Sequence, residues 1–512
     1  MKQCVIGIDL GTSACKVLAL SEHLKIIAES TAKYSTHVPR PGWSEQNPID
    51  WWEATRSALE EVTIQLKEKG YEISGIGLTG QMHSLVLLDK EGNILRPSIL
   101  WNDQRNYEQC KKAIEKLGGL EEVIRMINNG ILTGVTVGKI LWVIENEPHI
   151  FSKVYKFLVP KDFIRFKLTG EYVMDVSDAS GTHMFDVKNR QWCYELINKL
   201  EIPEKILPER VVESAEVSGV VKKSVADLFD WDGDIPVVGG GADVVVQSVS
   251  SGSTSSEKLC LIVGTAGIVA ITMDEFIKNS DGILQFYCNV IPSKYIIYGC
   301  TLAAGGSLEW LKSATCETEE IVARALGKSV FEIMSAEAEK SPVGSGGIIF
   351  LPFLSGERAP HPDPNARGLF IGLHLKSSKN DIIRSILEGV AYSLRSVSEL
   401  MMKIGKLKIK EVYLTGGGTM SELWRQIFSD VFGTTVKTLR YSEKGGAFGA
   451  AALAGVGVGI WKNIEQVVNM LELTHVNNPI QENVEKYDRL YNIYTNLYPT
   501  LKKVFDMVAK EF

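Results

Sequence analysis

The stretch Gly7-Ile8-Asp9-Leu10-Gly11-Thr12-Ser13-Ala14-Cys15-Lys16 sets a glycine and two hydroxyls between two apolar runs. A turn of this kind opens backbone N–H groups to phosphate oxygens, and the Thr12 and Ser13 hydroxyls add donors. Asp9, at the end of the first run, can hold a magnesium ion through water, and Lys16 brings a cation nearby. Taken singly, the motif is equally well an ordinary hairpin with a buried first strand. A second turn, Val263-Gly264-Thr265-Ala266-Gly267, repeats the glycine and hydroxyl pattern. A third, Leu414-Thr415-Gly416-Gly417-Gly418-Thr419, strips side chains at Gly416, Gly417 and Gly418, where a flat adenine or a ribose can approach the backbone. Three glycines alone are a flexible turn, so the weight lies in the order of the three loops.

These loops need strands to aim them. Apolar alternation predicts strands over Val5–Leu10, Lys16–Leu20 and Lys25–Tyr34, and again over Leu259–Val263 and Ile268–Thr272. The two copies lie about half a chain apart, which predicts a duplicated domain. The Gly/Ser-rich stretch Gly239–Ser256 lies between them, so the boundary is expected there, with domains 1–247 and 248–512. Asn380-Asp381 is expected to cap a helix whose apolar positions run from Ile382 to Val397. Farther on, a strand enters Gly416, and Thr419-x-x-Glu422 has capping-box spacing.

Composition narrows the partners. The 512 residues suit two large or three ordinary domains, and 45% hydrophobic with 23% charged residues is a globular balance. A net charge of −7 supplies no footprint for nucleic acid or an anionic membrane. The eight cysteines form no CxxC, so they are expected to be reduced thiols. Asp9 and Lys16 interrupt what would be the apolar region of a signal peptide, and Gly445–Trp461 is too short to span a membrane. A cytoplasmic protein is expected. Gly134–Lys139 imitates a P-loop but is one residue short and is followed by Ile140 instead of Ser or Thr.

Two phosphate loops followed by an adenosine loop resemble the actin-like ATPase fold, which implies ATP as ligand with Mg2+. Gly134–Asn146, together with GLFIGL at Gly368–Leu373 and DIIRSILE ending at Glu388, resembles the paired signatures of the FGGY carbohydrate kinases. The likeness runs from Gly7 to about Gly455. Within that family the chain is most similar to the xylulokinases, through WSEQNP at Trp43, GQMH at Gly80–His83, LWNDQR at Leu100–Arg105, PKDFIRFKLTGE at Pro160, SDASGT at Ser177, GGGAD at Gly239–Asp243 and LPFLSGERAPH at Leu351.

The resemblance implies two ribonuclease-H-like domains, an α/β duplication of a mixed-sheet unit, closing on a sugar in the cleft between them. It implies an aspartate base, which falls on Asp243, and sugar contacts from Met82 and His83. Phosphoryl transfer to a hydroxyl does need a proton acceptor, and a carboxylate on a loop after Ile235–Val238 can reach a cleft. A lone loop aspartate is otherwise a turn or cap residue. Asn102 and Asp103 are candidate sugar contacts or a plain turn, and Glu357-Arg358 is expected to be a bracing ion pair. Xylulokinases generally carry Gly before and Asn after the catalytic Asp, whereas Ala242 and Val244 stand here, which unsettles the sugar more than the reaction. D-xylulose is the first expectation and gluconate the second, since Met82–Leu85 is also similar to gluconate kinases. A non-kinase ATPase, such as a chaperone or filament protein, is the competing class. A homodimer is one expected assembly.

Overall fold

The computed structural model describes residues 2–511. Two compact units emerge: the first runs to Ser250 and takes back Met273–Ile296 and Lys444–Leu471, while the second holds Ser251–Thr272, Ile297–Glu443 and the chain from Glu472 on.

In the first unit β1 (Lys2–Leu10), β2 (Ala14–Ser21) and β3 (Ile26–Lys33) form an antiparallel meander, and β4 (Tyr71–Gly80) lies parallel to β1 on its free side. With β5 (Val217–Val220) and β6 (Pro236–Val238) the order is β5-β6-β4-β1-β2-β3. A parallel β1–β4 pair needs a crossover, supplied by the helix Pro48–Lys69. Asn47 caps that helix by accepting from Ile49 N at 3.1 Å, Pro48 opens it, and Gly70 at φ 69° closes it. Its Trp51, Ala58, Leu59 and Val62 are buried in the sheet's core cluster.

The second unit repeats this arrangement. β7 (Lys258–Val263), β8 (Gly267–Met273) and β9 (Tyr295–Thr301) precede β10 (Glu411–Gly416), β11 (Val436–Leu439) and β12 (Leu473–Asn477), in the order β9-β8-β7-β10-β11-β12. As in the first unit, the opening strand is antiparallel to the second, parallel to the fourth, and the outermost strand reverses. The expected α/β duplication of a mixed sheet is therefore present.

A glycine–alanine helix, Gly445–Gly457, belongs to the first unit and lies flush on β1 and β4. A Cβ added at Gly7 would sit 1.9 Å from Ala447 O, and one at Gly77 would sit 1.9 Å from Ala450 O. Backbone meets backbone there, so no side chain can yield. Gly7→Ala is expected to destabilise the protein by about 1–3 kcal/mol as an overpacking change. Chemical denaturation should show this as a lower midpoint with an unchanged slope.

Three local expectations are corrected. Helix Lys379–Gly405 is capped by Ser378, two residues ahead of the expected Asn380, and its side chain and that of Asp381 form the capping box. Helix Glu422–Phe432 is capped by Ser421, whose Oγ accepts from Trp424 N at 3.2 Å; Thr419 instead donates to Gly416 O at 2.8 Å. Asp243, expected on a loop, instead begins the helix Asp243–Ser250. Its valines have modest helix propensity, and burial of Val245, Val246 and Val249 outweighs it. Among the described residues no helix is long and apolar enough to cross a membrane, and all eight cysteines are free.

Candidate active site

The first-unit loop Gly11–Ser13 turns β1 into β2, with Gly11 N donating to Ala14 O at 3.0 Å. The hairpin register sets Asp9 opposite Lys16, whose side chain is exposed. Burial raises the Asp9 carboxyl above its ordinary value, and the Lys16 charge opposes that rise. Around the turn, the Tyr34 hydroxyl donates to Gly11 O, Trp101 Nε1 donates to Thr12 Oγ1 at 3.1 Å, and Gln46 Nε2 donates to Thr12 O at 2.7 Å. The first turn of the glycine–alanine helix comes so close that a Cβ at Gly446 would lie 2.5 Å from Asp9 Oδ2. A helix N-terminus thus faces the carboxylate, a favourable end for negative charge.

Asp243 stands on the same unit. It begins the helix Asp243–Ser250, directly after Gly241-Ala242, which pairs with Thr79-Gly80 at the end of β4; the sequence pointed to a loop. Its Oδ1 accepts from Val244 N at 2.8 Å. Burial, and after it the charge of Asp9, push the Asp243 carboxyl up to about 7. The backbone leading to it is pinned from several sides. Ser177 Oγ accepts from Ala242 N at 2.9 Å and donates to Asp175 Oδ2 at 2.5 Å, while Thr79 Oγ1 donates to Gly241 O at 2.8 Å. Beneath them Lys161 meets Asp162, Asp175 and Asp178 at 2.6, 2.9 and 3.1 Å. Arg165 adds a second cation on Asp162 at 2.6 Å, and burial raises the Asp178 carboxyl well above its ordinary value, which lightens the excess of buried negative charge; the SDASGT and PKDF stretches act as scaffold for Asp243.

Met82 and His83 follow β4. Met82 is buried, and His83 takes a left-handed conformation at φ 65°. His83 Nδ1 donates to Gly181 O at 2.7 Å, because a carbonyl can only accept. Thr136 Oγ1 and Lys139 Nζ donate to His83 O at 3.0 and 2.8 Å. Lys139, the lysine of the P-loop imitation, is thus a buried structural donor, with burial pulling it down to about 7. The His83 ring lies edge-on to His183 and Tyr287 at 6.0 and 6.4 Å between centroids. Burial pulls His183 down to about 4 and keeps it neutral; its Nδ1 donates to Gly130 O and its Nε2 accepts from the Tyr287 hydroxyl at 3.0 Å.

Asn102 is exposed beside this segment, and Asp103 is fully buried. The Asp103 carboxylate accepts from Ser44 N at 2.6 Å, from Arg105 Nη2 at 2.7 Å, and from Arg105 N and Nε at 2.9 Å each. Those bonds commit both of its oxygens to bracing the loop.

In the second unit the register brings two of the predicted loops together, since Val263 pairs with Gly416. The Gly264-Thr265 turn is exposed, and its carbonyls accept from Gly305 N and Ala304 N at 2.8 Å each. Gly416 has φ 84°, and a Cβ there would lie 2.6 Å from Val263 O, so glycine is required; Gly417 and Gly418 follow in a short 3-10 turn. Glu357 makes no ion pair with Arg358, contrary to expectation. Its carboxylate accepts from Thr301 Oγ1 at 2.6 Å, Leu302 N at 3.2 Å and Arg358 N at 2.7 Å, and burial pushes it up to about 7. Local hydrogen bonds, one of them from the Arg358 backbone N–H, take the place of the expected ion pair.

Residues 4–250 match the family described as FGGY family of carbohydrate kinases, N-terminal domain, and residues 259–458 match its C-terminal domain. The chain belongs to the FGGY carbohydrate kinases. It is 35% identical to the xylulose kinase of Staphylococcus xylosus over 96% of this chain and 99% of that one. It is 29% identical to the gluconokinase of Bacillus subtilis (strain 168) over 99% of this chain and 98% of that one. The crystal structure of a xyloylose kinase from Brucella ovis is similar at a TM-score of 0.89 and 30% identity, covering 98% of this chain and 100% of that one. This FGGY kinase is accordingly a phosphotransferase that uses ATP and a sugar, and the chaperone and filament alternatives fall away.

Magnesium is the metal expected from the sequence to accompany ATP. Hard oxygen donors suit it, and one or two carboxylates together with nucleotide phosphates suffice to hold it. Asp9 fits that role: its carboxylate is raised by burial and neighbours Asp243, so an added cation would relieve both. Among the described residues no three metal-ligating side chains gather, and this mode of binding needs none. Sequence reasoning missed Gln46, Trp101, Ser177, His183, Tyr287 and Gly446. WSEQNP, LWNDQR and SDASGT did flag three of these as stretches, but only tertiary contact shows what each side chain holds.

Proposed function

We propose that this FGGY kinase phosphorylates D-xylulose on its C5 hydroxyl, giving D-xylulose 5-phosphate and ADP, with Asp243 as general base. The observation that carries the reading is a carboxyl poised near pH 7 on the unit that also bears Asp9 and the Met82-His83 segment. In the step, O5 attacks the γ-phosphorus, the bond from that phosphorus to the bridging oxygen breaks, and the O5 proton passes to Asp243. A base with a pKa near the working pH balances ionisation against proton affinity. Met82 and His83 orient the sugar; Asn102 and Asp103 frame that segment, Asp103 by bracing it. The hydroxyls of Thr12, Ser13 and Thr265, carried on turns that Gly11 and Gly264 keep free of side chains, donate to phosphate oxygens, with Lys16 adding charge, and Gly416–Gly418 admit the adenosine. When bound, Mg2+ at Asp9 neutralises phosphate charge. The chain works in the cytoplasm, where ATP is at hand.

Coupled measurement of ADP release over pentuloses, hexuloses, polyols and gluconate tests the reading. D-xylulose should give the highest kcat/KM. Gluconate is the second reading, favoured by the Met82–Leu85 run and by the gluconokinase relative, while Val244 after Asp243 departs from the xylulokinase pattern. Val244→Asn is expected to raise kcat/KM for D-xylulose about two- to twelve-fold, the worth of one neutral hydrogen bond. A wild type that ignores D-xylulose, turns over gluconate briskly and gains nothing from Asn would move the assignment to gluconate.

A further inference from the structure

Gln46 is 1% exposed and lies on the short strand Glu45-Gln46, paired with Ser98-Ile99 just ahead of the Leu100–Arg105 loop. Its side-chain amide is fully engaged. Nε2 donates to Thr12 O at 2.7 Å and to Thr36 Oγ1 at 2.8 Å, while Oε1 accepts from Trp51 Nε1 at 2.9 Å and from Gln81 Nε2 at 3.1 Å. Two donors and two acceptor sites are all an amide has, so it cannot turn without losing a bond.

One partner of this amide, Gln81, directly precedes Met82-His83. On the N-terminal side Gln81 reaches Thr12 O through Gln46. On the C-terminal side Ser84 Oγ accepts from Trp101 N at 3.1 Å, and Trp101 Nε1 donates to Thr12 Oγ1 at 3.1 Å. The two residues flanking the sugar segment therefore each reach the same phosphate-turn residue through one intermediary. Gln81 N also donates to Leu10 O at 2.8 Å, which ties the segment to the end of β1. Nothing in the proton-transfer step uses Gln46 or Trp101, yet together they close a ring from the sugar segment to the phosphate turn and back.

We infer that Gln46 is a positioning residue that couples the two substrates: sugar held at Met82-His83 fixes the phosphate turn through Gln46 and Trp101, so that bound sugar tightens nucleotide binding. The inference rests on the sugar-kinase reading of Met82-His83. Coupling of this kind is a free energy shared by two sites and is reciprocal, so nucleotide must tighten sugar binding by the same factor. A buried, fully bonded amide transmits displacement well because every alternative orientation leaves a polar group unpaired.

Calorimetric titration of the full-length protein with AMP-PNP and Mg2+, with and without saturating D-xylulose, tests it. In the wild type the sugar should lower the nucleotide Kd by roughly 5–150-fold, the usual range of such coupling. Gln46→Glu can still accept from Trp51 and Gln81 but cannot donate to Thr12 O, and it should reduce the factor to about twofold or less; Trp101→Phe, which cuts the other arm, should reduce it in part. Trp51→Phe removes only the structural arm and should lower Tm while keeping the wild-type factor. The inference is overturned if folded Gln46→Glu and Trp101→Phe keep that factor, or if Trp51→Phe loses it as fully as they do. It is also overturned if the wild type turns over D-xylulose with no coupling. Failure of the underlying reading looks different, because then no sugar in the turnover panel is phosphorylated.

Discussion

Asp243→Asn is expected to lower sugar phosphorylation by ~10²–10⁴-fold while nucleotide still binds, since an amide cannot take the hydroxyl proton. In the wild type, kcat/KM for the sugar should rise with pH and level off above about 7, the value to which burial and Asp9 push this carboxyl. Stability should move the opposite way. Below the ordinary aspartate value both folded and unfolded chains are protonated and the group costs nothing. As pH climbs from there through about 7 the unfolded chain ionises first, so the wild type loses stability across that window. The Asn variant escapes the penalty, and its Tm should exceed that of the wild type by a margin that grows between pH 4 and 7. An inactive variant that is more stable at pH 8 is the mark of a site residue under strain. Near-normal turnover would remove Asp243 from the mechanism.

Asp9→Ala is expected to cost roughly 10²–10³-fold in kcat, because stabilisation of phosphate charge by a bound cation is worth several kcal/mol in the transition state. The sugar KM should change little. A second signature follows from the electrostatics: the Asp9 charge is one cause of the raised Asp243 carboxyl, so deleting it should draw the acid limb of the kcat/KM profile to lower pH. Chelation of Mg2+ with EDTA should abolish wild-type turnover, and added Mg2+ should restore it. A variant altered only in its sugar KM would defeat the phosphate-turn reading.

The parts of the molecule that were legible in the sequence are those governed by local rules. Alternation plus a glycine turn marked β1–β2 and β7–β8 to within three residues, because hairpin register depends on neighbours in the chain. The helix starting at Asp243 was not legible, because three successive valines read as strand or loop until burial of Val245 and Val246 is known. Asp103 and Glu357 show the same limit for side chains. Asp103 was a candidate sugar contact or a plain turn and Glu357 was expected to pair with Arg358, yet Asp103 is committed to Arg105 and Ser44, and Glu357 to backbone N–H groups and Thr301. The ring from Gln81 through Gln46 and Thr12 to Trp101 joins residues up to 89 positions apart, a relation no local pattern encodes.

The glycine–alanine helix also bears on how the protein is made. The faces of β1 and β4 at Gly7 and Gly77 are covered by backbone from Ala447 and Ala450, more than 350 residues downstream. At ~5–20 residues per second of synthesis, β1 leaves the ribosome roughly 20–90 s before the segment that seals it. Through that interval the nascent first unit carries an uncovered sheet face. A fragment ending at Ser250 would keep that face permanently, so the natural place to split this chain for expression is not where its two halves appear to divide.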